Sequence, residues 1–218
     1  MQTKDNQNNK NFCTIYLVRH GETESNKNGY LMGSLDAPLT EEGISQAQNT
    51  AEKLKDIHFD AIFSSDLERA HTTAKILKLE RDLAIQTTKA LQERNYAQWE
   101  GKPIEEFRKI FKHIYEEMKQ VEKAERMKFK PYEGIESDEE IVSRFIAFLR
   151  EVAVAYAGKN VLVATHGGCI RTFLIHLGYF DYKNIPSGAV TNAGYVKVIS
   201  DGVDFFVQEV SGVKDKVI

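Results

Sequence analysis

Short apolar runs alternate with segments of helical periodicity along most of this chain. The predicted strands, rich in β-branched and aromatic residues, cover 12–18, 59–63, 84–88 and 161–165. The predicted helices begin at Thr40, at Leu67 behind a cap on residues 64–66, at a capping box on Ser137, and at Cys169. Strands that alternate with helices are typical of a mostly parallel sheet with helices on both faces. The pattern therefore predicts an α/β fold.

Two parts of the chain depart from this alternation. Near the C-terminus, the apolar runs 193–199 and 203–210 are joined by a short polar turn, which predicts a β-hairpin. Residues from about 102 to 137 are strongly charged, and their apolar positions mark one face of a long helix. We interpret them as a helical insertion in a single domain of residues 12–218. The polar residues 1–11 are expected to form a disordered tail.

Composition narrows the class of protein. The chain has 218 residues, of which 42% are apolar and 28% charged, as in ordinary globular domains. A net charge of −3 argues against a nucleic-acid partner, and no apolar run is long enough to predict a membrane span. Two cysteines, Cys13 and Cys169, give no disulfide framework and suit a reducing compartment. The protein is therefore predicted to be cytoplasmic.

The candidate chemistry lies where the predicted strands end. The first and fourth strands each end in a His-Gly pair, at His20 and His166, and Arg19 stands directly before the first histidine. Arg69 follows the second strand and Glu93 follows the third. Because ligands of open α/β sheets bind beyond the carboxyl ends of the strands, these side chains are expected to meet at one edge. A cationic pocket of this kind suits a phosphate.

These residue types are the ones that phosphoryl transfer needs. Arg19 and Arg69 offer planar guanidinium groups that can each bind two phosphate oxygens, and His166 can add a further donor. A neutral His20 is a competent nucleophile near neutral pH without a metal, and attack would give a phosphohistidine that water hydrolyses. Glu93 is the candidate acid that protonates the leaving oxygen.

Two other chemistries fit the residues less well. Cys169 lies three residues after His166, but a thiol phosphatase needs an arginine several residues after its cysteine, and here Arg171 follows at two. A metal site built on His20 and His166 is disfavoured because the flanking arginines would repel a divalent cation. Each candidate residue taken alone is more often structural, so the prediction depends on their convergence.

Six segments of the chain together resemble the histidine phosphatase superfamily, in its phosphoglycerate-mutase-like branch. In chain order they are 17–26 (LVRHGETESN), 33–43 (GSLDAPLTEEG), 64–70 (SSDLERA), 91–94 (LQER), 99–101 (WEG) and 165–168 (THGG). They span most of the chain in the family's order, and together they are highly specific.

The resemblance implies a fold and a set of roles. The implied fold is a three-layer α/β/α sandwich with a six-stranded, mostly parallel mixed sheet. His20 is implied as the phosphorylated nucleophile, Glu93 as the proton donor, and Arg19, Arg69 and His166 as the phosphate pocket. Further substrate-binding positions are expected at Thr23, Asn26, Gly33, Arg94, Tyr96 and Gly167. The resemblance implies no metal and no organic cofactor, and a small phosphorylated substrate. A monomer or a homodimer is expected.

Departures from the family pattern bear on the activity. Gly168 stands where the mutases typically have asparagine, which favours a phosphatase; a phosphoglycerate mutase is the alternative, and a non-catalytic binding module is disfavoured. Met32 replaces a glutamine that often contacts substrate in relatives. The insertion matches no family pattern and is expected to form a lid. Its basic residues are candidates for binding a further anionic group of the substrate: Lys119, Lys123, Arg126, Lys128 and Lys130.

Overall fold

The computed structural model describes residues 11–214. Its strands are β1 (Cys13–Arg19), β2 (Ala61–Ser65), β3 (Ile85–Thr88), β4 (Asn160–Thr165), β5 (Val190–Ser200) and β6 (Phe205–Val213). Its α-helices are α1 (Glu24–Lys27), α2 (Glu41–Lys53), α3 (Glu68–Lys78), α4 (Ile104–Glu117), α5 (Lys123–Lys128), α6 (Asp138–Ala155) and α7 (Gly167–His176). Apart from Asn11, the predicted tail lies outside the described residues. No helix within 11–214 is long and apolar enough to cross a membrane.

All six strands form one mixed sheet in the order β3-β2-β4-β1-β5-β6. The four strands β1 to β4 run parallel, whereas β5 pairs antiparallel with both β1 and β6. The predicted hairpin is therefore formed by β5 and β6. Since β1 to β4 are parallel, the segments that follow them leave the sheet at one edge, as the sequence predicts.

Alternation along the central strand β1 places its side chains in two separate cores. Cys13, Ile15 and Leu17 are buried against α6 and α7, on one face of the sheet. Tyr16 and Val18 are buried on the other face, together with apolar residues of α2 and α3. The result is the three-layer α/β/α sandwich that the sequence predicts.

The cap of α3 differs from the prediction. Residues 64–66 were expected to provide it, and Ser65 Oγ does accept from the N–H of Leu67 at 3.3 Å. The next two N–H groups, those of Glu68 and Arg69, donate instead to the carboxylate of Asp36, from a loop 32 residues earlier. The carboxylate of Asp66 instead accepts a hydrogen bond from the Gln92 side chain at 2.7 Å. An anion at a helix N-terminus is stabilised by the unpaired N–H groups and the helix dipole, whichever part of the chain supplies it.

The insertion has a small core of its own. Leu31, Trp99 and Ile135 are buried together with Phe107 and Phe111 of α4. The helix of the insertion is shorter than predicted, because α4 ends at Glu117 and a 3₁₀ turn follows. The predicted capping box is present at the start of α6: Ser137 Oγ accepts from Glu140 N, and the Glu140 carboxylate accepts from Ser137 N.

Candidate active site

A cavity of about 420 Å³ opens at the carboxyl edge of the parallel strands. Its sheet side is lined by Arg19, His20, Arg69 and Glu93, together with the first residues of α7. Its opposite wall comes from the insertion and is largely apolar, with aromatic residues such as Phe107. Four of the five predicted catalytic residues therefore line a space of the size of a small metabolite, whereas His166 lies behind this lining.

The ring of His20 is held in one orientation. The side chain is 4% exposed, and its Nδ1 lies 2.7 Å from the carbonyl oxygen of Gly21. Because a carbonyl oxygen only accepts, Nδ1 carries the proton and the lone pair is on Nε2. Burial lowers the pKa of His20 well below its usual value, and the positive charges of Arg19 and Arg69 lower it further. His20 is therefore a neutral imidazole with Nε2 available as a nucleophile.

The lowered pKa of His20 gives a testable pH dependence. A histidine with the ordinary pKa of about 6.5 is mostly protonated at pH 6, whereas His20 is expected to stay neutral there. Histidine ¹⁵N chemical shifts recorded between pH 4.5 and 8 should show that the ring of His20 is neutral, with the proton on Nδ1, at pH 6 and above. Replacing the neighbouring charge, in Arg19→Met, should move the titration of His20 upward. A midpoint above 6.5 in the unaltered protein would contradict the charge arrangement.

Arg69 is fixed by the loop that precedes α2. The residue is 1% exposed, and its guanidinium donates to the carbonyl oxygens of Leu35 and Gly33, each at 2.7 Å, and to Asp36 Oδ1 at 3.0 Å. Gly33, a predicted binding position, thus orients Arg69 through its carbonyl and is not among the residues that line the cavity. A side chain at Gly33 would overlap the Glu100 carboxylate, which accounts for the glycine.

Arg19 lies between β5 and the N-terminus of α7. Its Nη1 donates to the carbonyl oxygen of Val190 at 2.5 Å. A Cβ at Gly167 would lie 3.0 Å from Arg19 Nε, so the glycine permits this close approach. Gly167 is the first residue of α7 and lines the cavity, where the free N–H groups of a helix start favour an anion.

His166 is completely buried, and its ring packs against that of His20 with 5.2 Å between centroids. Burial lowers its pKa, and Arg69 is the strongest of the neighbouring charges that lower it further. Neither ring nitrogen of His166 has a hydrogen-bond partner among the described residues, and the same holds for Nε of Arg19 and Nε of Arg69. Four unpartnered nitrogens on three adjacent side chains require an explanation, since buried polar atoms are normally paired.

The carboxylate of Glu93 is held between two backbone amides. Oε1 accepts from the N–H of Arg94 at 2.8 Å, and Oε2 accepts from the N–H of Gly168 at 2.9 Å. A Cβ on Gly168 would overlap Glu93 Oε1, so a larger residue there would require this carboxylate to move. Glu93, the predicted acid, is therefore held against the first turn of α7, and it lines the cavity together with Arg19 and His20.

Asn26 and Thr23 form the capping box of the short helix α1, and both line the cavity. The amide oxygen of Asn26 accepts from the N–H of Thr23 at 3.3 Å and from Nδ2 of Asn192 at 3.2 Å, which leaves its own NH₂ group free to donate. Asn192 also donates to the carbonyl oxygen of His20 at 3.2 Å. The sequence did not single out Asn192. The antiparallel pairing of β5 with β1 brings it to this edge of the sheet, and the sequence did not predict which strand pairs with β5.

The outer part of the cavity is basic, and it contains Arg94 and Tyr96, two predicted binding positions. Arg94 forms an ion pair with Asp138, which also accepts from the Tyr182 hydroxyl at 2.7 Å. Arg126 stacks on the Tyr182 ring, with its guanidinium carbon 3.9 Å from the ring centroid. The sequence did not predict binding roles for Asp138 and Tyr182.

Only one of the five basic residues expected to bind a further anion lines the cavity, namely Arg126. Lys119 pairs with Glu116 at 2.5 Å, Lys123 donates to the carbonyl oxygen of His176 at 3.2 Å, and Lys130 pairs with Glu140 at 2.7 Å. Lys128 is exposed and outside the cavity. Arg171, on α7, is a cavity residue that the sequence did not identify as a binding group. Both Arg126 and Arg171 lie against Tyr182.

Cys169 does not have the environment of a nucleophile. Its Sγ donates to the carbonyl oxygen of Gln92 at 3.0 Å, and the residue is fully buried. Burial raises the pKa of the thiol to about 12, and the charge of Glu93 raises it as well. A thiolate is therefore unavailable near neutral pH, which removes the thiol alternative.

Comparison with known proteins agrees with this geometry. The family model of the histidine phosphatase superfamily (branch 1) matches residues 15–211. The chain belongs to the histidine phosphatase superfamily. It is 34% identical over 179 residues to the uncharacterized phosphatase PhoE of Bacillus subtilis, covering 82% of this chain and 84% of that protein. It is 30% identical over 181 residues to phosphoserine phosphatase 1 of Hydrogenobacter thermophilus, covering 83% of each.

A solved structure extends the likeness to the whole fold. The crystal structure of phosphoglycerate mutase from Bacillus anthracis superimposes with a TM-score of 0.80 at 29% identity, covering 94% of this chain and 95% of that one. The predicted membership of the histidine phosphatase superfamily and the predicted α/β fold are confirmed. The names of the relatives also support a phosphatase of this superfamily, as the sequence predicted.

Proposed function

We propose that this histidine phosphatase hydrolyses a small phosphorylated metabolite through a phosphohistidine at His20, without a metal ion. The observation that carries the proposal is the set of four unpartnered buried nitrogens on Arg19, Arg69 and His166 beside a neutral His20. A phosphoryl group offers several acceptor oxygens and a negative charge that suits two adjacent guanidinium groups, of which Arg69 is paired with Asp36 and Arg19 has no ion pair among the described residues. Binding it would satisfy the Nε–H groups of the two arginines and the one N–H of a neutral His166, which otherwise stay buried without a partner.

The first half-reaction forms the phosphoenzyme. Nε2 of His20 attacks phosphorus as the bond from phosphorus to the ester oxygen breaks, and the Glu93 carboxyl group gives its proton to the departing oxygen. The positive charge that develops on the ring is stabilised by the hydrogen bond from Nδ1 to the Gly21 carbonyl oxygen. Arg19 and Arg69 hold the equatorial oxygens, whose charge persists through the transition state.

The second half-reaction returns the enzyme to its starting state. The Glu93 carboxylate takes a proton from a water molecule, whose oxygen attacks phosphorus while the bond from phosphorus to Nε2 breaks. Inorganic phosphate leaves, and His20 is again neutral. One carboxyl group thus serves as acid and then as base, which fits its fixed position between the two amides of Arg94 and Gly168.

The outer cavity favours substrates with a second anionic group. Arg94 is neutralised by Asp138, but no carboxylate of the described residues forms an ion pair with Arg126 or Arg171. Burial lowers the pKa of Arg171; the nearby Asp138 carboxylate opposes this shift and Arg94 adds to it, so the positive charge is buried without an ion pair of its own within residues 11–214. A carboxylate or second phosphate on the substrate would compensate that charge. We infer a small phosphorylated acid as the best substrate class.

Matched substrates test this class. In the presence of a chelator, 3-phosphoglycerate should be hydrolysed with kcat/KM about tenfold above that of glycerol 3-phosphate, since one charge-assisted pair is worth about this much. Arg126→Met should remove the preference, whereas Lys128→Met, on the same helix but outside the cavity, should keep it. Equal hydrolysis of both esters would refute the substrate class, and inactivity on all esters would refute the phosphatase.

The same assay separates the mutase alternative. A mutase returns the phosphate from His20 to a bound acceptor, so 3-phosphoglycerate would be converted to its isomer instead of releasing phosphate. A phosphatase releases phosphate without isomer formation, and we expect that outcome. We also propose a cytoplasmic location, which the two unpaired cysteines favour, and a monomeric or homodimeric state.

A further inference from the structure

The catalytic carboxyl group lies on a segment without regular secondary structure. Residues 92–96 belong neither to a helix nor to a strand. Segments of this kind are mobile unless side chains fix them, yet proton transfer requires the acid within hydrogen-bond reach of the leaving oxygen. The contacts that hold the backbone around Glu93 are therefore part of the catalytic arrangement.

Arg144, on the second turn of α6, supplies two of these contacts. Its Nη1 donates to the carbonyl oxygen of Ala90 at 2.9 Å, and its Nη2 donates to the carbonyl oxygen of Glu93 at 3.2 Å. The same guanidinium forms a two-point ion pair with Glu136, from Nε to Oε1 at 2.7 Å and from Nη2 to Oε2 at 2.9 Å. One side chain thus binds the acid loop, residues 90–96, at two carbonyl oxygens.

Glu136 adds backbone contacts from the end of the insertion. Its Oε2 also accepts from the N–H of Asn95 at 3.1 Å, and its own N–H donates to the carbonyl oxygen of Asn95 at 3.0 Å. Its carbonyl oxygen accepts from Nη1 of Arg94. The last residues of the insertion are therefore paired along the acid loop.

We propose that the Glu136–Arg144 pair is a positioning device that sets the Glu93 carboxyl group for proton transfer and joins the acid to the inserted segment. The inference rests on the proposed phosphatase function. Neither residue touches the cavity, so both act through the backbone of the acid loop.

Anchoring of α6 does not require this pair. The helix buries Ile141, Phe145 and Leu149 completely, and its N-terminus is capped by Ser137. A partly buried ion pair adds little net stability, because desolvation offsets the Coulomb attraction. All four hydrogen bonds of Arg144 go to Glu136 or to the acid loop, which points to a role in geometry.

The test compares two leaving groups. Arg144→Met should lower kcat for an alkyl phosphate about 30-fold, because a misplaced acid loses part of its contribution to the rate. The same variant should lower kcat for 4-nitrophenyl phosphate less than threefold. Arg144→Lys, which keeps the charge but not the forked geometry, should recover part of the loss. Glu136→Gln should show the same selectivity more weakly. Arg150→Met, on the same helix but donating only to the Val203 carbonyl oxygen, is the matched control and should behave as wild type.

A second measurement is independent of activity. Amide hydrogen exchange of residues 93–96 should become at least tenfold faster in Arg144→Met and stay unchanged in Arg150→Met. Equal losses on both esters, or unchanged exchange, would overturn the positioning role. If the wild type hydrolyses no ester while exchange still responds to Arg144, the proposed function fails and only the structural link survives.

Discussion

The variant His20→Ala is expected to lose at least about 10⁴-fold in kcat on 4-nitrophenyl phosphate, as when the nucleophile of a covalent mechanism is removed. The buried ring of His20 presents a neutral Nε2 beside Arg19 and Arg69, and neither water nor alanine replaces that atom as a nucleophile. Labelling with a ³²P-labelled substrate, quenched in alkaline detergent, should give a phosphoenzyme in the wild type that is stable to base and lost in acid, and none in the variant.

A control distinguishes this loss from general damage. His58 has a side chain that is 85% exposed and lies at the opposite end of the sheet, before β2. His58→Ala should therefore retain wild-type turnover and labelling. Full activity of His20→Ala, or unaltered labelling in that variant, would remove the proposed nucleophile.

Glu93→Gln is expected to cause the second large loss of kcat, and the size of this loss should depend on the leaving group of the substrate. A glutamine cannot donate the carboxyl proton, so alkyl phosphates should be hydrolysed about 10²- to 10³-fold more slowly. The loss on 4-nitrophenyl phosphate should be below tenfold, because nitrophenolate leaves with little protonation. Steady-state kcat for the two esters, measured side by side at pH 7, gives the ratio directly.

Two checks accompany this variant. Both oxygens of Glu93 accept backbone hydrogen bonds, so the amide of glutamine loses one of them. A thermal melt within a few degrees of wild type shows that the loop has kept its fold. Equal losses on both esters in a folded variant would count against Glu93 as the acid.

Local sequence determined the elements and the edge at which they meet. The apolar run that ends at His20 and the one that ends at His166 fix two central strands, because period and composition specify a buried strand without reference to the rest of the chain. The parallel arrangement then follows from the intervening helices, which is why Arg19, Arg69 and Glu93 lie at the same edge of the sheet.

Pairings between distant segments were decided only by the tertiary structure. Asp36 caps α3 and holds Arg69, Asn192 holds Asn26, and Arg144 holds the loop of Glu93. Each of these contacts joins residues that are more than 30 positions apart. Polar side chains of this kind are compatible with many partners, and their own sequence neighbourhood does not select one.

In the insertion too, the sequence determines some features and only the tertiary structure determines others. Its helical periodicity and its charge could be read from the sequence, but four lysines and one arginine were equivalent there as candidate anion-binding groups. In the folded chain Arg126 lies against Tyr182 in the cavity, and Lys128 points to solvent. Periodicity is a property of neighbouring residues and is therefore visible in the sequence. Which charged side chain faces the substrate depends on how the helix packs, and only the complete fold determines that.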